Sequence, residues 1–315
     1  MFPTETVYGL GADALNADAV ERIFDAKGRP AGNPLICHVE SAAGAREIVA
    51  DWPEIAARLA ARFWPGPLTL ILPRAARLPA AVTAGGPTVA VRAPAHPVAL
   101  ALLQAVGRPV AAPSANRSTR LSPTRAERAF AQLRGRVELI LDAGPTPRGL
   151  ESTVLDLTAR PPRVLRPGPV SIRALEEALG MEVAGREPHS TGKPDAQAPA
   201  RSPGLMGRHY APLARLECAS PEAAEARVRE LLAAGRRAGW LRLHSGDEAL
   251  THPNLITRLA PHDPESYGAA LYEILHCFDE AGVETIVVES PPAGDEWQAA
   301  RDRLGRASAL APDGA

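Results

Sequence analysis

Lys27, Arg29, Asn33 and His38 fall within a dozen residues, in Lys27-Gly-Arg-Pro-Ala-Gly-Asn-Pro-Leu-Ile-Cys-His38. Two fixed cations, an amide and an imidazole close to two prolines make a basic loop with strong hydrogen-bond donors. Upstream, Phe2-Pro-Thr-Glu-Thr-Val-Tyr-Gly-Leu-Gly-Ala12 alternates Thr4, Thr6 and Tyr8 against Val7. That alternation predicts a strand with one hydroxyl-bearing face. Gly9 and Gly11 then let the backbone reverse and come close to a ligand. A basic loop beside a hydroxyl-lined strand suits a ligand that carries phosphates and a carboxylate. Arg92 stands at the end of another strand-like segment.

Alternating helices and strands must hold these groups. Asn16 caps a helix carrying Val20, Ile23 and Phe24 and ending near Gly28, which leaves Lys27 and Arg29 at its C-terminal end. Residues 35–39, 68–72, 88–92, 110–113, 137–141, 152–157 and 163–165 read as strands. Residues 41–50, 53–63, 97–106, 124–134 and a Ser171-capped segment to Leu179 read as helices. Several strands follow one another directly, which predicts a mixed α/β sheet with flanking helices rather than a strictly parallel one. Residues 185–212 lose all periodicity and fill with Pro, Gly, Ala, Ser and charge, the composition of a linker. Beyond them, strands at 214–216, 240–243 and 285–288 alternate with helices at 221–234, 266–281 and 295–308. The expected division is therefore 1–184, a linker 185–212, and a smaller Rossmann-like α/β domain 213–315.

At 315 residues two domains are the better expectation. A formal net charge of −1 argues against a chain-wide electrostatic grip on nucleic acid, though not against a local basic pocket. Cys37, Cys218 and Cys277 are odd in number and far apart, which favours free thiols in a reducing, cytoplasmic setting. No metal-ligand spacing, signal peptide or apolar run of membrane-spanning length is present. There is no Walker sequence, since Gly192-Lys193 is followed by proline. Gly9-Leu-Gly-Ala-Asp-Ala14 fits a dinucleotide fingerprint by letter only, because the helix begins later and no suitable acidic residue follows.

The first two stretches resemble the YrdC/Sua5 family of threonylcarbamoyl-AMP synthases. The resemblance continues through Pro87–Pro94, Ala111-Ala-Pro-Ser-Ala-Asn116, Glu151–Leu157 and Arg163–Gly168. Ser202-Pro-Gly-Leu-Met-Gly-Arg-His-Tyr-Ala-Pro212 is similar to the linker peptide of its longer members. The resemblance implies a YrdC-like twisted sheet that binds ATP, L-threonine and bicarbonate, with Mg2+ accompanying the nucleotide. Lys27, Arg29, Ser114 and Asn116 would form a cationic, polar catalytic tetrad. Thr6, His38, Arg92, Ala112 and Ser152 would contact threonine, Ala112 through its backbone alone. Arg29, Asn33, Thr88, Ser114, Ser122 and Arg166 would contact ATP, joined by His209 or Tyr210 from a linker that folds over the site as a lid. The product would pass to a complex that makes threonylcarbamoyladenosine in tRNA. Members usually carry a helix and the beginning of a strand ahead of the first motif, so Met1 is expected to be a misassigned start or a truncation.

Each of these residues has a plainer reading. Lys27 and Arg29 would sit at any solvated helix end, where the dipole favours cations. His38 would be a satisfied structural histidine, Ser122 a cap before Pro123, Arg166 a turn charge, and 201–212 a spacer. Two rival functions remain. An RNA-binding module would use the same concavity for weak RNA binding, but lacks interleaved aromatics for base stacking. A carbamoyl-transfer domain of the hydrogenase-maturation type would bring cysteine zinc motifs, which this chain lacks.

Overall fold

The computed structural model describes residues 1–185, 209–243 and 250–308. Most of the linker segment, with Gly192-Lys193 and residues 201–208, lies outside the described residues. The chain divides into two compact units. The first comprises Met1–Ser118, Pro123–Pro147 and Glu151–Met206; the second comprises Thr119–Ser122, Arg148–Leu150 and Gly207–Ala315.

Among the described residues the first unit is built on a seven-stranded mixed sheet. In chain order its elements are β1 (Ala12–Asp13), α1 (Ala17–Lys27), β2 (Ile36–His38), α2 (Ala42–Arg46), α3 (Glu54–Phe63) and β3 (Leu68–Pro73). Then come β4 (Thr88–Arg92), α4 (Pro97–Val106), β5 (Val110–Ala111), α5 (Ala126–Leu133), β6 (Thr153–Asp156), β7 (Arg163–Arg166) and α6 (Ile172–Leu179). The spatial order is β1-β5-β2-β4-β3-β6-β7. Only β2–β4 and β3–β6 run parallel, as the direct strand-to-strand connections predict. Helix ends carry their sequence signals. Asn16 accepts from the Ala19 N–H at 3.2 Å, Ser171 accepts from Ala174 at 3.2 Å, and Gly28 closes α1 with a φ of 60°.

Strand period two gives the sheet two faces of different character. Cys37, Leu70, Leu72, Val89, Val91, Ala111, Leu155 and Val164 face the main apolar core with Val20, Ile23 and Leu59. Burial there pushes the Cys37 thiol up to about 12. The opposite face carries a smaller cluster of Ile36, Ile71, Ala90 and Val154. That second face bears the polar residues considered below.

Three expectations are corrected. Residues 2–9 form a tight loop rather than a strand. Phe2 and Gly9 exchange backbone hydrogen bonds at 2.8 and 3.0 Å, and Thr4 Oγ1 accepts from the N–H groups of Thr6 and Val7 at 3.2 Å. A threonine that satisfies its own backbone neighbours competes with a ladder. Residues 137–141 are also not a strand: Leu139 and Leu141 bond through their backbone to Met1 rather than into a ladder, and Leu139 is 63% exposed. Finally, β10 (Leu255–Leu259) has no predicted counterpart, because its half-exposed residues lack an apolar run.

The second unit carries β8 (Arg215–Ala219), α7 (Pro221–Ala233), β9 (Ala238–Arg242), β10, α8 (Pro264–Glu280), β11 (Thr285–Glu289) and α9 (Gln298–Ser308). Its four strands are all parallel in the order β10-β9-β11-β8. Helix α8 buries Tyr267, Leu271, Tyr272, Leu275 and Phe278 on one face. Gly239 on β9 permits this packing, since a Cβ there would lie 2.8 Å from the Phe278 ring.

Candidate active site

Register places the polar residues together. His38 on β2 stands beside Arg92 on β4. Thr88 shares the face of Arg92, four residues back and about 13 Å along the strand. Val154 on β6 carries the same face toward β7, where the pairing slips by one residue between Val154 and Leu155. Leu155 pairs with Val164 but Val154 pairs with Arg166, so Leu165 is the extra residue of a β-bulge. Without it Arg166 would follow Val164 onto the core face; with it the guanidinium joins the polar face.

Arg92 is buried at the end of β4. Its Nη1 donates to Thr6 Oγ1 at 3.0 Å and its Nε to the Gly66 carbonyl at 3.2 Å. Its Nη2 lies 2.6 Å from Glu5 Oε1, an ion pair whose side chains are 4% and 7% exposed. The fold thus buries Arg92 rather than leaving it as an edge-strand charge in water. Thr6 is held in turn by Thr4, whose Oγ1 is 2.9 Å from its own. His38 is buried, with the Phe2 ring set edge-on to it. Burial first, and the Arg92 charge second, lower its pKa to about 3, so it is a neutral imidazole at any ordinary pH.

Gly66 and Pro67 tie this corner to the next. The Pro67 carbonyl accepts from Thr153, one residue after Ser152, at 3.0 Å. Ser152 Oγ sits 2.7 Å from Thr69 Oγ1 and accepts from Arg166 Nη2 at 3.0 Å. Its carbonyl takes two further bonds from the same guanidinium. A threonine-contact candidate and an ATP-contact candidate are therefore one hydrogen-bonded unit.

Lys27 is the last residue of α1, yet it is 2% exposed rather than solvated. Its Nζ donates to the carbonyls of Ser114, at 2.6 Å, and of Asn116. Its own carbonyl accepts from Ser118. The loop it grips is joined to the first loop: Tyr8 and Pro113 carbonyls accept from Ala115 and Leu10, and Gly9 pairs with Ser114. Burial, with the Arg29 charge adding to it, lowers the Lys27 pKa well below that of a free lysine. Arg29 is folded onto its own loop through the Asn33 carbonyl at 3.0 Å, Asn33 Oδ1 at 2.7 Å and the Pro34 carbonyl at 2.8 Å. Ala112 donates its N–H to Ile36 and packs its methyl among Phe2, Ala99, Leu103 and Val110, so only its backbone is polar.

Ser122, His209 and Tyr210 belong to the second unit. There Tyr210 is buried in the left-handed region, with φ 58°. Its ring stacks on Tyr272 at 6.2 Å, lies under the Arg303 guanidinium at 5.0 Å, and meets His209 edge-on. Among the described residues no cluster of His, Cys, Asp or Glu could hold a metal ion, and no helix is long and apolar enough to cross a membrane.

Sequence reasoning passed over Glu5, Gly66 and Thr69. Glu5 had a signal: it is the one acidic residue between the two threonines of the first loop. Thr69 had none, lying inside the apolar run of β3. Chemically, this face offers buried guanidinium donors, one of them paired with Glu5, around neutral hydroxyls and a neutral imidazole. Such a surface binds anionic oxygens and stabilises charge that develops on them.

Comparison with known proteins is consistent with this chemistry. Residues 1–168 match a family described as telomere recombination, whose members include Sua5, YciO and YrdC. Residues 170–309 match the threonylcarbamoyl-AMP synthase C-terminal domain. Threonylcarbamoyl-AMP synthase of Pyrococcus abyssi is 41% identical, covering 98% of this chain and 89% of the relative. That of Bacillus subtilis is 43% identical, covering 98% and 88%. The crystal structure of Pyrococcus abyssi Sua5 complexed with L-threonine superposes with a TM-score of 0.86 at 40% identity, covering 98% of this chain and 89% of that one. A variant of the same protein with a His-Tyr pair changed to alanines superposes at 0.88.

Proposed function

The chain belongs to the YrdC/Sua5 family, as a member carrying both the catalytic and the C-terminal domain, and from that premise we infer that it is a threonylcarbamoyl-AMP synthase. The observation that carries this reading is the buried Arg92 fork, held beside Thr6 and His38 in a chain that superposes along nearly its whole length on a relative complexed with L-threonine.

The reaction proposed is that of a nucleotidyltransferase. The threonine amine combines with bicarbonate with loss of water, or with CO2 with loss of a proton, and an oxygen of the resulting carbamate attacks the α-phosphate of ATP. Pyrophosphate leaves, and threonylcarbamoyl-AMP remains for a tRNA-modifying complex. Arg92 takes the threonine carboxylate, with Thr6, His38, the Ala112 backbone and Ser152 around it. Lys27, Arg29, Ser114 and Asn116 face the carbamate and phosphates, where a preorganised cation stabilises the charge that moves onto the leaving oxygens. Asn33, Thr88 and Arg166 contact the nucleotide. Magnesium enters as the nucleotide's counter-ion, part of the substrate, since the site is cationic and the described residues provide no acidic cage.

The deciding experiment incubates the protein with MgATP, bicarbonate and each amino acid in turn and measures pyrophosphate. Release that requires threonine and bicarbonate is expected. Release independent of the amino acid, or tight salt-sensitive binding of tRNA without it, overturns the reading.

A further inference from the structure

Among the described residues, Glu5 is the carboxylate in direct contact with the guanidinium assigned to the threonine carboxylate. Its residue is 5% exposed; among the described residues Oε1 has only the 2.6 Å ion pair with Arg92 Nη2, and Oε2 has no hydrogen-bond donor. Beside it, Arg92 Nη2 meets Glu5 as an ion pair and makes no further hydrogen bond, and His38 Nδ1 is buried without a hydrogen-bond partner among the described residues. A buried polar atom left unpaired costs free energy, and a carboxylate more than a neutral group. Proteins therefore leave few such atoms, and a cluster of them around one guanidinium marks a place where a ligand completes the bonding. The set has a definite polarity. Arg92 Nη2 can only donate and Glu5 can only accept. An amino acid in its zwitterionic form presents the complement, a carboxylate acceptor next to an ammonium with three donors.

We propose that Glu5 accepts the ammonium group of the amino-acid substrate while Arg92 holds its carboxylate. The inference rests on the threonine reading above and adds a residue to it. Glu5 and Arg92 neutralise one another as an ion pair, so neither charge is stranded before binding. When the zwitterion enters, opposite charges alternate around the group of four. The amine is thereby fixed on the Glu5 side of the pocket, pointing away from Arg92. The pair would select α-amino acids over hydroxy acids of the same shape, because a site built for an N–H rejects the analogue that lacks it.

The test measures the dissociation constants of L-threonine and of 2,3-dihydroxybutanoate, which has a hydroxyl in place of the amine, by calorimetry on the whole protein. Glu5→Gln is expected to weaken threonine by roughly 10- to 100-fold, the range for a charged hydrogen bond. The hydroxy acid should be unaffected or bind better, since Arg92 loses its counter-charge, so the preference for the amine collapses. 2-Aminobutanoate, which keeps the amine and lacks the side-chain hydroxyl, should weaken in step with threonine. Equal weakening of threonine and the hydroxy acid means a merely structural role and overturns the proposal. So does an unchanged threonine affinity, or a loss confined to ligands bearing the side-chain hydroxyl. MgATP affinity and thermal melting monitor the fold. If Glu5→Gln fails either, the same ratio is read in Glu5→Asp, where an undiminished preference for the amine overturns the proposal. Wild-type protein that binds no threonine would instead overturn the functional reading itself.

Discussion

Arg166 is joined to Ser152 three ways: its Nε and Nη2 donate to the Ser152 carbonyl at 3.0 and 2.9 Å, and Nη2 also donates to the hydroxyl at 3.0 Å. That hydroxyl is shared with Thr69. Ser152 thus positions a guanidinium as well as lining a pocket, and its removal should be felt by both substrates. Ser152→Ala is expected to raise KM for threonine and for ATP together. The double variant with Arg166→Ala should cost less than the sum, by an interaction of about 1–2 kcal/mol. Steady-state kinetics on the four proteins of the cycle checks this; strict additivity refutes the coupling.

Arg92 and Glu5 make substitution at residue 92 a matter of stability as well as binding. Arg92→Ala leaves a carboxylate buried and unpaired, which typically costs about 3–5 kcal/mol. Arg92→Lys keeps the charge but loses the fork. Both variants should raise the threonine KM far more than the ATP KM. Only Arg92→Ala should lower the melting temperature strongly. Parallel melts and kinetics separate the two effects, and equal loss of affinity for both substrates would remove Arg92 from the amino-acid pocket.

Much of this was legible because strand periodicity is a local property. The Thr88–Arg92 segment and its alternation fall where the sequence puts them, as do the caps at Asn16, Ser171 and Gly28. Two things were not legible. The first loop reads as a strand by period two, but Thr4 bonds its own neighbours and bends the chain, an outcome that depends on which partner reaches the backbone first. The face on which Arg166 emerges depends on the bulge at Leu165, set by pairing with β6 rather than by the four residues of β7. Glu5 was visible as a letter and invisible as a contact, since its partner lies 87 positions away in the chain.

His38 should make the fold sensitive to acid. Its pKa is about 3 in the folded protein against 6.5 for the free side chain. Above pH 6.5 neither state carries the proton, and the folded state suffers nothing. As pH falls below 6.5 the unfolded chain takes up a proton that the folded one refuses, so stability is lost progressively down to about pH 3. The slope for one such group approaches 1.4 kcal/mol per pH unit. His38→Gln, which cannot titrate, should therefore retain about 3 kcal/mol more of its neutral-pH stability at pH 4.5 than the wild type does. Urea melts at pH 7.5 and 4.5 measure it; identical losses in the two proteins would show that His38 is not held neutral by the fold.

Lys27 should couple nucleotide binding to proton uptake. Burial and the Arg29 charge disfavour its ammonium form in the free protein, lowering its pKa well below 10.5. Phosphate oxygens placed beside it act in the opposite sense, since an anion favours the charged form and raises the pKa again. Between the lowered value and the raised one, Lys27 is largely neutral before ATP binds and protonated afterwards. Binding in that window draws a proton from solution, and ATP affinity falls as pH rises through it. Calorimetric titration of ATP in two buffers with different ionisation enthalpies reads the proton count directly. The expected result is net uptake in the wild type, larger toward alkaline pH. Lys27→Met, which keeps the stem packed and deletes the charge, should abolish that pH dependence while weakening ATP roughly 10- to 100-fold through the lost charge-assisted bond. Uptake that persists unchanged in Lys27→Met would assign the proton to another group and remove Lys27 from the phosphate site.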